Sequence, residues 1–520
     1  MRSGELAQGG SRTAAIGWWL AVALAFLPFL FVTIPPLADA PGHLAQVAIQ
    51  TAPPDSPLRT YFGFHWALKL NLGTDILVEM LRPLFGLERA FWLVAASIPP
   101  LTVLAIRCLA RTANRGEAGA ASWALPFAYP FLFNFGFLNY ALASACSFLA
   151  FALWIRLCHR ALLREALFWL IIPALLIAHA IGGGLLPVMI LAAALARLRR
   201  DGFGAFVREV RPLVASIPVI ALWKLGDTSS GLDTVFSLSS KINAVLLALR
   251  DQNRLLDVVS VALILLVPLV GRLLGARYTK TGGAVVIALA LLFLAMPNEL
   301  NGSSYADTRL VPAMIIAALA LQNWSAVPRR WATAIALGGF ALFAIRIGVT
   351  TIGFVAYARS YAVERAALDH VAPGSRVLAL VTRQCRASRA WRMDRLDHLP
   401  ALAVVDRASW TNALWDVPGI HLLEVRFRPS ADFYDDPSHY VWPIDCVESE
   451  PAPRTAEERR NQRRTIEQTA PMLPLAQVDY LWLINTRLPS GFDASRLASA
   501  WSNGHSTLYR VIRPAASAPR

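Results

Sequence analysis

Long apolar runs, closed by charge or by Pro and Gly, recur along the first two thirds of the chain and then stop. Runs of this kind suit helices that cross about 30 Å of hydrocarbon. They predict about eleven membrane spans, near 14–35, 91–108, 119–134, 137–155, 166–181, 184–196, 212–224, 255–271, 283–297, 309–324 and 331–355. Segment 73–88 carries Asp75, Glu79 and Arg82, too much charge for a span, and predicts an amphipathic helix on the outer surface. Beyond residue 360 the texture changes. Short apolar strands at Arg376–Val381, Val478–Ile484 and His505–Arg513 alternate with polar turns. Glu457–Arg464 reads as an exposed helix. The expected fold is an α-helical polytopic membrane protein with a small C-terminal extracytoplasmic α/β domain. The expected domains are a transmembrane part, 1–358, with first outer loop 36–72 and interfacial helix 73–88, and an outer part, 359–520.

Charge fixes the expected orientation. Arg107, Arg111 and Arg115, then Arg156, Arg160 and Arg164, then Arg197, Arg199, Arg200 and Arg208 fall in alternate connections, as do Arg272, Arg277, Lys280, Arg329 and Arg330. The short turns 134–140 and 182–184 carry no Lys or Arg. Cationic connections stay in the cytoplasm, which places the N-terminus inside and the C-terminus outside. The chain of 520 residues is 56% hydrophobic and 16% charged, so its net charge of +15 belongs to this topology and does not indicate nucleic acid. Ala38-Asp39-Ala40 mimics a cleavage site, but the preceding run is longer than a signal peptide's apolar core and Pro41 follows it.

The unusual polar residues collect on the outer side of that topology. Asp39 and His43 follow the first span, four residues apart, on one face if the segment is helical. Asn134 and Tyr140 flank the turn Phe135-Gly136-Phe137-Leu138, and His179 precedes Gly182-Gly183-Gly184. Asp307 and Arg309 lie at the mouth of a span, and Arg346 lies inside the last one, where an ionisable group needs a partner or a wet cavity. Asp39 is the candidate base, with His43 beside it. Arg309 and Arg346 are candidate phosphate ligands, and Asp307, His179, Asn134 and Tyr140 are further substrate contacts. Cys385 and Cys446 stand alone in the polar C-terminal part and are expected to bond in an oxidising compartment.

The segment Ala38-Asp39-Ala40-Pro41-Gly42-His43, with Phe133–Tyr140 and Asp307-Thr308-Arg309-Leu310-Val311-Pro312, resembles elements of the GT-C membrane glycosyltransferases, bacterial type. The resemblance implies a sugar transferase that draws on a polyprenyl-phosphate donor and serves an envelope acceptor, whether glycan, lipid or protein. It implies inversion by single displacement and a bacterial inner (plasma) membrane location. Many members carry paired acidic residues in the first outer loop, whereas here Asp39 is followed by Ala40, and no spacing supports a metal. No cofactor and no metal ligand are therefore assigned. Walker, Rossmann and zinc-protease spacings are absent. Two other classes stay open: a transporter or flippase of lipid-linked glycan, and a non-catalytic envelope-assembly protein. The transporter would be expected to show matched halves, and none are visible.

Overall fold

The computed structural model describes residues 15–114, 119–226, 234–300, 303–383, 391–416, 422–448 and 462–513. The chain divides into two compact units: one of residues up to Val32, Leu68–Pro83 and Trp92–Phe354, and one of Thr33–Ala67, Leu84–Phe91 and Val355 onward.

The first unit is helical. Among the described residues, six helices are long and apolar enough to cross a membrane: Leu87–Ala113, Leu138–His159, Ala161–Ala178, Ala180–Asp201, Arg254–Leu273 and Arg329–His370. Ala15–Phe31, Lys280–Ala295 and Leu310–Ala320 are shorter apolar helices. This is a polytopic membrane protein: of the expected eleven spans, six coincide with the long helices, three with the shorter ones, and two are broken. Residues 119–134 break into a 3₁₀ helix, Gly119–Ala128, and a short helix, Phe131–Phe135, with Pro126 inside the first and Pro130 between them. Residues 212–224 likewise divide into Arg211–Ala215 and the ten-residue Ser216–Leu225. Proline removes a backbone donor and clashes with the preceding turn, and ten helical residues reach only about 15 Å.

The Gly73–Phe85 helix has 13 residues, also short of a span. Asn139 secures its start. Its Oδ1 accepts from the Thr74 hydroxyl at 2.8 Å, and its Nδ2 donates to the Asn71 carbonyl at 2.9 Å and to Asp75 at 3.1 Å. Close packing elsewhere rests on Gly183, where any Cβ would lie 2.1 Å from the Leu175 carbonyl oxygen.

The second unit is built on a six-stranded sheet. Its strands are β1 (Arg376–Thr382), β2 (Trp410–Thr411), β3 (Tyr440–Val441), β4 (Tyr480–Ile484), β5 (Leu497–Ser502) and β6 (Thr507–Val511). The order is β5-β6-β4-β1-β2, with β3 also on β1. β1 runs parallel to β4, β2 and β3, while β6 is antiparallel to β4 and β5. β1 and β4 are buried almost throughout, and their unbroken apolar runs are what a strand covered on both faces requires. β5 sits at an edge and is half exposed. The core joins Leu378, Leu380, Trp410, Leu481 and Leu483 to Ala45, Ile49 and Phe62. The segment after Ile34 is thus part of this unit. Phe62–Phe64 pairs antiparallel with Leu423–Val425, and the Ala40–Gln50 helix buries Leu44, Ala45, Val47 and Ile49. Of the expected Glu457–Arg464 helix, 457–461 lie outside the described residues, and the remainder is not helical.

Candidate functional site

In the second unit, Asp39 stands at the N-terminus of the Ala40–Gln50 helix, whose first turn holds Pro41. Pro there loses no helical hydrogen bond. The Asp39 carboxylate does not cap its own helix and is only 7% exposed. The backbone just before it is pinned from two sides. Arg395, fully buried, donates from Nη1 to the Pro36 carbonyl at 2.8 Å. Tyr361 donates to the Arg395 carbonyl at 2.5 Å and lies 3.4 Å from the Leu37 carbonyl. Gly42 has no alternative, because a Cβ there would meet the Trp415 ring at 2.5 Å. The Trp415 ring packs, tilted, near two imidazoles, with centroids 5.4 Å from His43 and 4.4 Å from His398.

Around Asp39 the C-terminal residues supply a polar cluster. His398 Nε2 lies 3.7 Å from Asp39 Oδ1 and 3.2 Å from the Tyr440 hydroxyl, while its Nδ1 is 3.1 Å from the Ala413 carbonyl. His439 Nε2 is 3.0 Å from the Asp397 carbonyl, and its Nδ1 is 3.8 Å from Asp436 Oδ1. The strands set these positions. Val381 on β1 donates its N–H to the His439 carbonyl at 2.7 Å. Asn412 bridges Ala379 on β1 to the Ser438 hydroxyl. Arg383, at the end of β1, pairs with Asp397 at 3.3 Å and lies 4.4 Å from the Tyr440 ring.

Burial, and then the Asp436 and Asp397 carboxylates, push the Asp39 pKa well above the ordinary carboxylate range, against the pull of Arg383. Burial also lifts Asp436 to about 6. It drops His398 to about 3, with Arg383 and His43 adding to the effect and the Ala413 carbonyl opposing it. His439 is lowered well below its ordinary value, first by burial and then by His398 and Arg383. At neutral pH both rings are neutral, so the 3.7 Å approach of His398 to Asp39 is not an ion pair.

The other candidates belong to the first unit. Arg309 is buried, donates from Nη1 to the Ser303 hydroxyl at 3.0 Å, and lies 4.7 Å from the Phe137 ring. Its Nε makes no hydrogen bond, and it forms no ion pair among the described residues. The Tyr140 hydroxyl donates to the Arg309 carbonyl. Asp307 does not turn to its neighbour Arg309. Its carboxylate pairs with Lys241 at 3.1 Å and accepts from the Ser240 hydroxyl at 2.8 Å and the Thr308 N–H at 2.7 Å. His179 caps the Ala180–Asp201 helix, its Nδ1 accepting from Ile181 and Gly182 at 3.1 Å each, with the ring 5.6 Å from Tyr140. Asn134 is fully buried, and its Oδ1 takes no hydrogen bond. Arg346 is engaged in the bundle: Nη1 reaches Asp257 at 2.8 Å and Ser260 at 3.3 Å, and Nη2 reaches the Leu249 carbonyl at 2.7 Å. These bonds tie it to the helices around it. Cys446 is buried and disulfide-bonded, and Cys385, its expected partner, lies outside the described residues.

Two solved structures are similar over nearly the whole chain. One is the crystal structure of ArnT from Cupriavidus metallidurans in the apo state, with 12% identity, a TM-score of 0.50, and coverage of 95% of this chain and 98% of that one. The other is ArnT from the same organism bound to undecaprenyl phosphate, with 12% identity, a TM-score of 0.48, and coverage of 96% and 98%. The fold resembles that of the apo ArnT structure. No family model and no curated protein sequence matches the chain.

Sequence reasoning missed His398, Asp436 and His439, together with Trp415 and Arg383. One signal was present: Asp436 and His439 sit three residues apart, directly before the apolar Tyr440-Val441. His398 is 38 residues from Asp436 and was not visible as a partner. Among the described residues, these three side chains form a group whose donor atoms all lie within 4.8 Å of one another, close enough to hold a metal ion.

Proposed function

We propose that this protein is a membrane glycosyltransferase that moves a sugar from a polyprenyl-phosphate donor to an acceptor of the cell envelope. The observation that carries the reading is Asp39: a buried carboxylate just past the first apolar helix, held by Arg395 and Tyr361 through its preceding backbone and flanked by neutral imidazoles. Its raised pKa makes the ionised carboxylate a stronger base than an exposed one. In the reaction, Asp39 takes the proton of the acceptor hydroxyl as that oxygen attacks the sugar carbon. The bond from that carbon to the phosphate oxygen breaks, and polyprenyl phosphate leaves with the electron pair. A single displacement inverts the sugar carbon. The GT-C fold supports this class of chemistry in general.

Arg309 is the residue best suited to the leaving phosphate, because it is buried, cationic and incompletely bonded. Tyr140 positions it through its backbone carbonyl. Asp307 and His179 support the surrounding structure. Arg346 is better assigned to bundle stability than to the donor. The arginine-rich connections support a cytoplasmic N-terminus and an extracytoplasmic C-terminus in a bacterial inner membrane.

The deciding experiment is transfer from a polyprenyl-phosphate sugar to acceptor in membranes containing Asp39→Asn. Loss of a general base lowers the rate by about 10²–10⁴, while the variant inserts and accumulates like the parent chain. Full transfer by Asp39→Asn would remove the base assignment. Lipid movement across vesicles without any sugar release by the unaltered protein would favour a flippase.

A further inference from the structure

We infer that His398, Asp436 and His439 form a binding site for one divalent transition-metal ion of the zinc type, with an open coordination position beside Asp39. The donor atoms of the three side chains lie within 4.8 Å of one another. Their hydrogen bonds orient them toward a common point. His398 Nδ1 faces the Ala413 carbonyl at 3.1 Å, and His439 Nε2 faces the Asp397 carbonyl at 3.0 Å. A carbonyl only accepts, so each of these nitrogens carries the proton. His398 Nε2 and His439 Nδ1 are left as lone pairs. A backbone carbonyl behind each ring is the arrangement that fixes the tautomer of a metal-ligating histidine.

The inward atoms are short of donors. His439 Nδ1 and Asp436 Oδ1 are buried and take no hydrogen bond. They stand 3.8 Å apart, too far to bond each other. Two ligands about 2.0–2.1 Å from one tetrahedral ion stand roughly 3.4 Å apart, so the three donor atoms, now within 4.8 Å of one another, close inward onto the ion. The Tyr440 hydroxyl lies 3.2 Å from His398 Nε2 and also bonds Asp436. It has one proton and can serve one of them at a time. Turning that proton to Asp436 releases the His398 lone pair.

Charge points the same way. The Asp436 and Asp397 carboxylates both act on Asp39, opposed by Arg383, so a cation held here would be favoured. Two imidazoles and one carboxylate suit zinc, cobalt or nickel rather than magnesium or calcium, which favour all-oxygen shells. Three protein ligands leave a fourth position. Asp39, 3.7 Å from His398 Nε2, is the group next to it. The Asp436 side chain is 22% exposed, which gives an ion a way in.

The test uses the full chain, tag-free, purified in detergent, stripped with a chelator and dialysed against zinc. Elemental analysis after desalting is expected to find one zinc per chain. His439→Ala and Asp436→Asn are each expected to weaken zinc binding by more than about 100-fold, beyond what loss of an outer partner costs. Cobalt in place of zinc is expected to give a visible d–d band that both variants lose. Because His439→Ala also opens a cavity in a buried position, Asp436→Asn, nearly isosteric, is the decisive variant, checked by its elution as a monodisperse species. Less than about one tenth of a zinc per chain in the unaltered protein, or unchanged zinc in Asp436→Asn, overturns the site. These readouts need no sugar transfer, so they stand or fall separately from the proposed activity.

Discussion

Arg346 and Arg309 are both buried guanidiniums in the helical unit, at 5% and 4% exposure, and burial does not tell them apart. Their partners do. Arg346 meets a carboxylate, a hydroxyl and a backbone carbonyl. The network continues: Asp257 also accepts the Asp251 N–H at 2.7 Å, and Asp251 accepts from the Thr350 hydroxyl at 2.8 Å. Arg309 has one hydroxyl and an aromatic face, and its Nε is left without a partner. The adjacent carboxylate, Asp307, is committed to Lys241. A cation with a complete set of partners holds structure together. A buried cation with an incomplete set has been placed at a cost, which an anionic ligand would offset.

The largest expected effect that tests this contrast is on stability. Arg346→Ala leaves Asp257 buried without its cation, which costs about 3–5 kcal/mol. Thermal melting of the purified protein should show a large drop, with poor accumulation in membranes. An Arg346→Ala protein of normal stability that has lost donor binding would reverse the assignment. Arg309→Ala is expected to do the opposite. Donor binding should weaken about 10- to 100-fold, the worth of one or two charge-assisted hydrogen bonds, while the melting temperature changes little. Arg309→Lys keeps the charge without the planar fork and should fall between the two. Titration with a polyprenyl phosphate, read by protein fluorescence, separates these outcomes.

The sequence made the helical class legible because long apolar runs admit few alternatives. It made strands β1, β4 and β6 legible because their apolar cores stop at polar turns. It did not show the breaks at proline, since hydropathy registers 119–134 and 212–224 as continuous while the backbone is not. For the site, position relative to the first span made Asp39 stand out. Its partners did not, because β1 and the loop around residues 436–439 are joined through Val381 and Asn412, contacts that have no local signature. Arg346 was singled out correctly as an intramembrane charge that needs a partner. Its partner, Asp257, lies 89 residues away at a helix start, where an acidic residue is ordinary.

The smallest expected effect extends the contrast to a pair open to water. Asp479, just before β4, accepts from Arg376 Nε and Nη2 at 2.9 Å each and pairs with Arg513. Burial raises its pKa, but the Arg376 hydrogen bonds and charge, aided by Arg513, outweigh it and hold the carboxyl below its ordinary value. The folded state therefore binds fewer protons than the unfolded one. The stabilisation is fully present above the unfolded value of about 3.9 and is lost as pH falls through the folded value. Arg376 and Asp479 are 24% and 27% exposed, so water screens the pair. Asp479→Asn is expected to lower stability by about 1 kcal/mol at pH 7, toward the exposed-pair end of the range, against about 3–5 for Arg346→Ala. The gap between Asp479→Asn and the parent should close as the melting pH is taken below about 4. A gap that stays constant with pH would mean that the carboxylate's charge contributes nothing and that its shape alone holds Arg376.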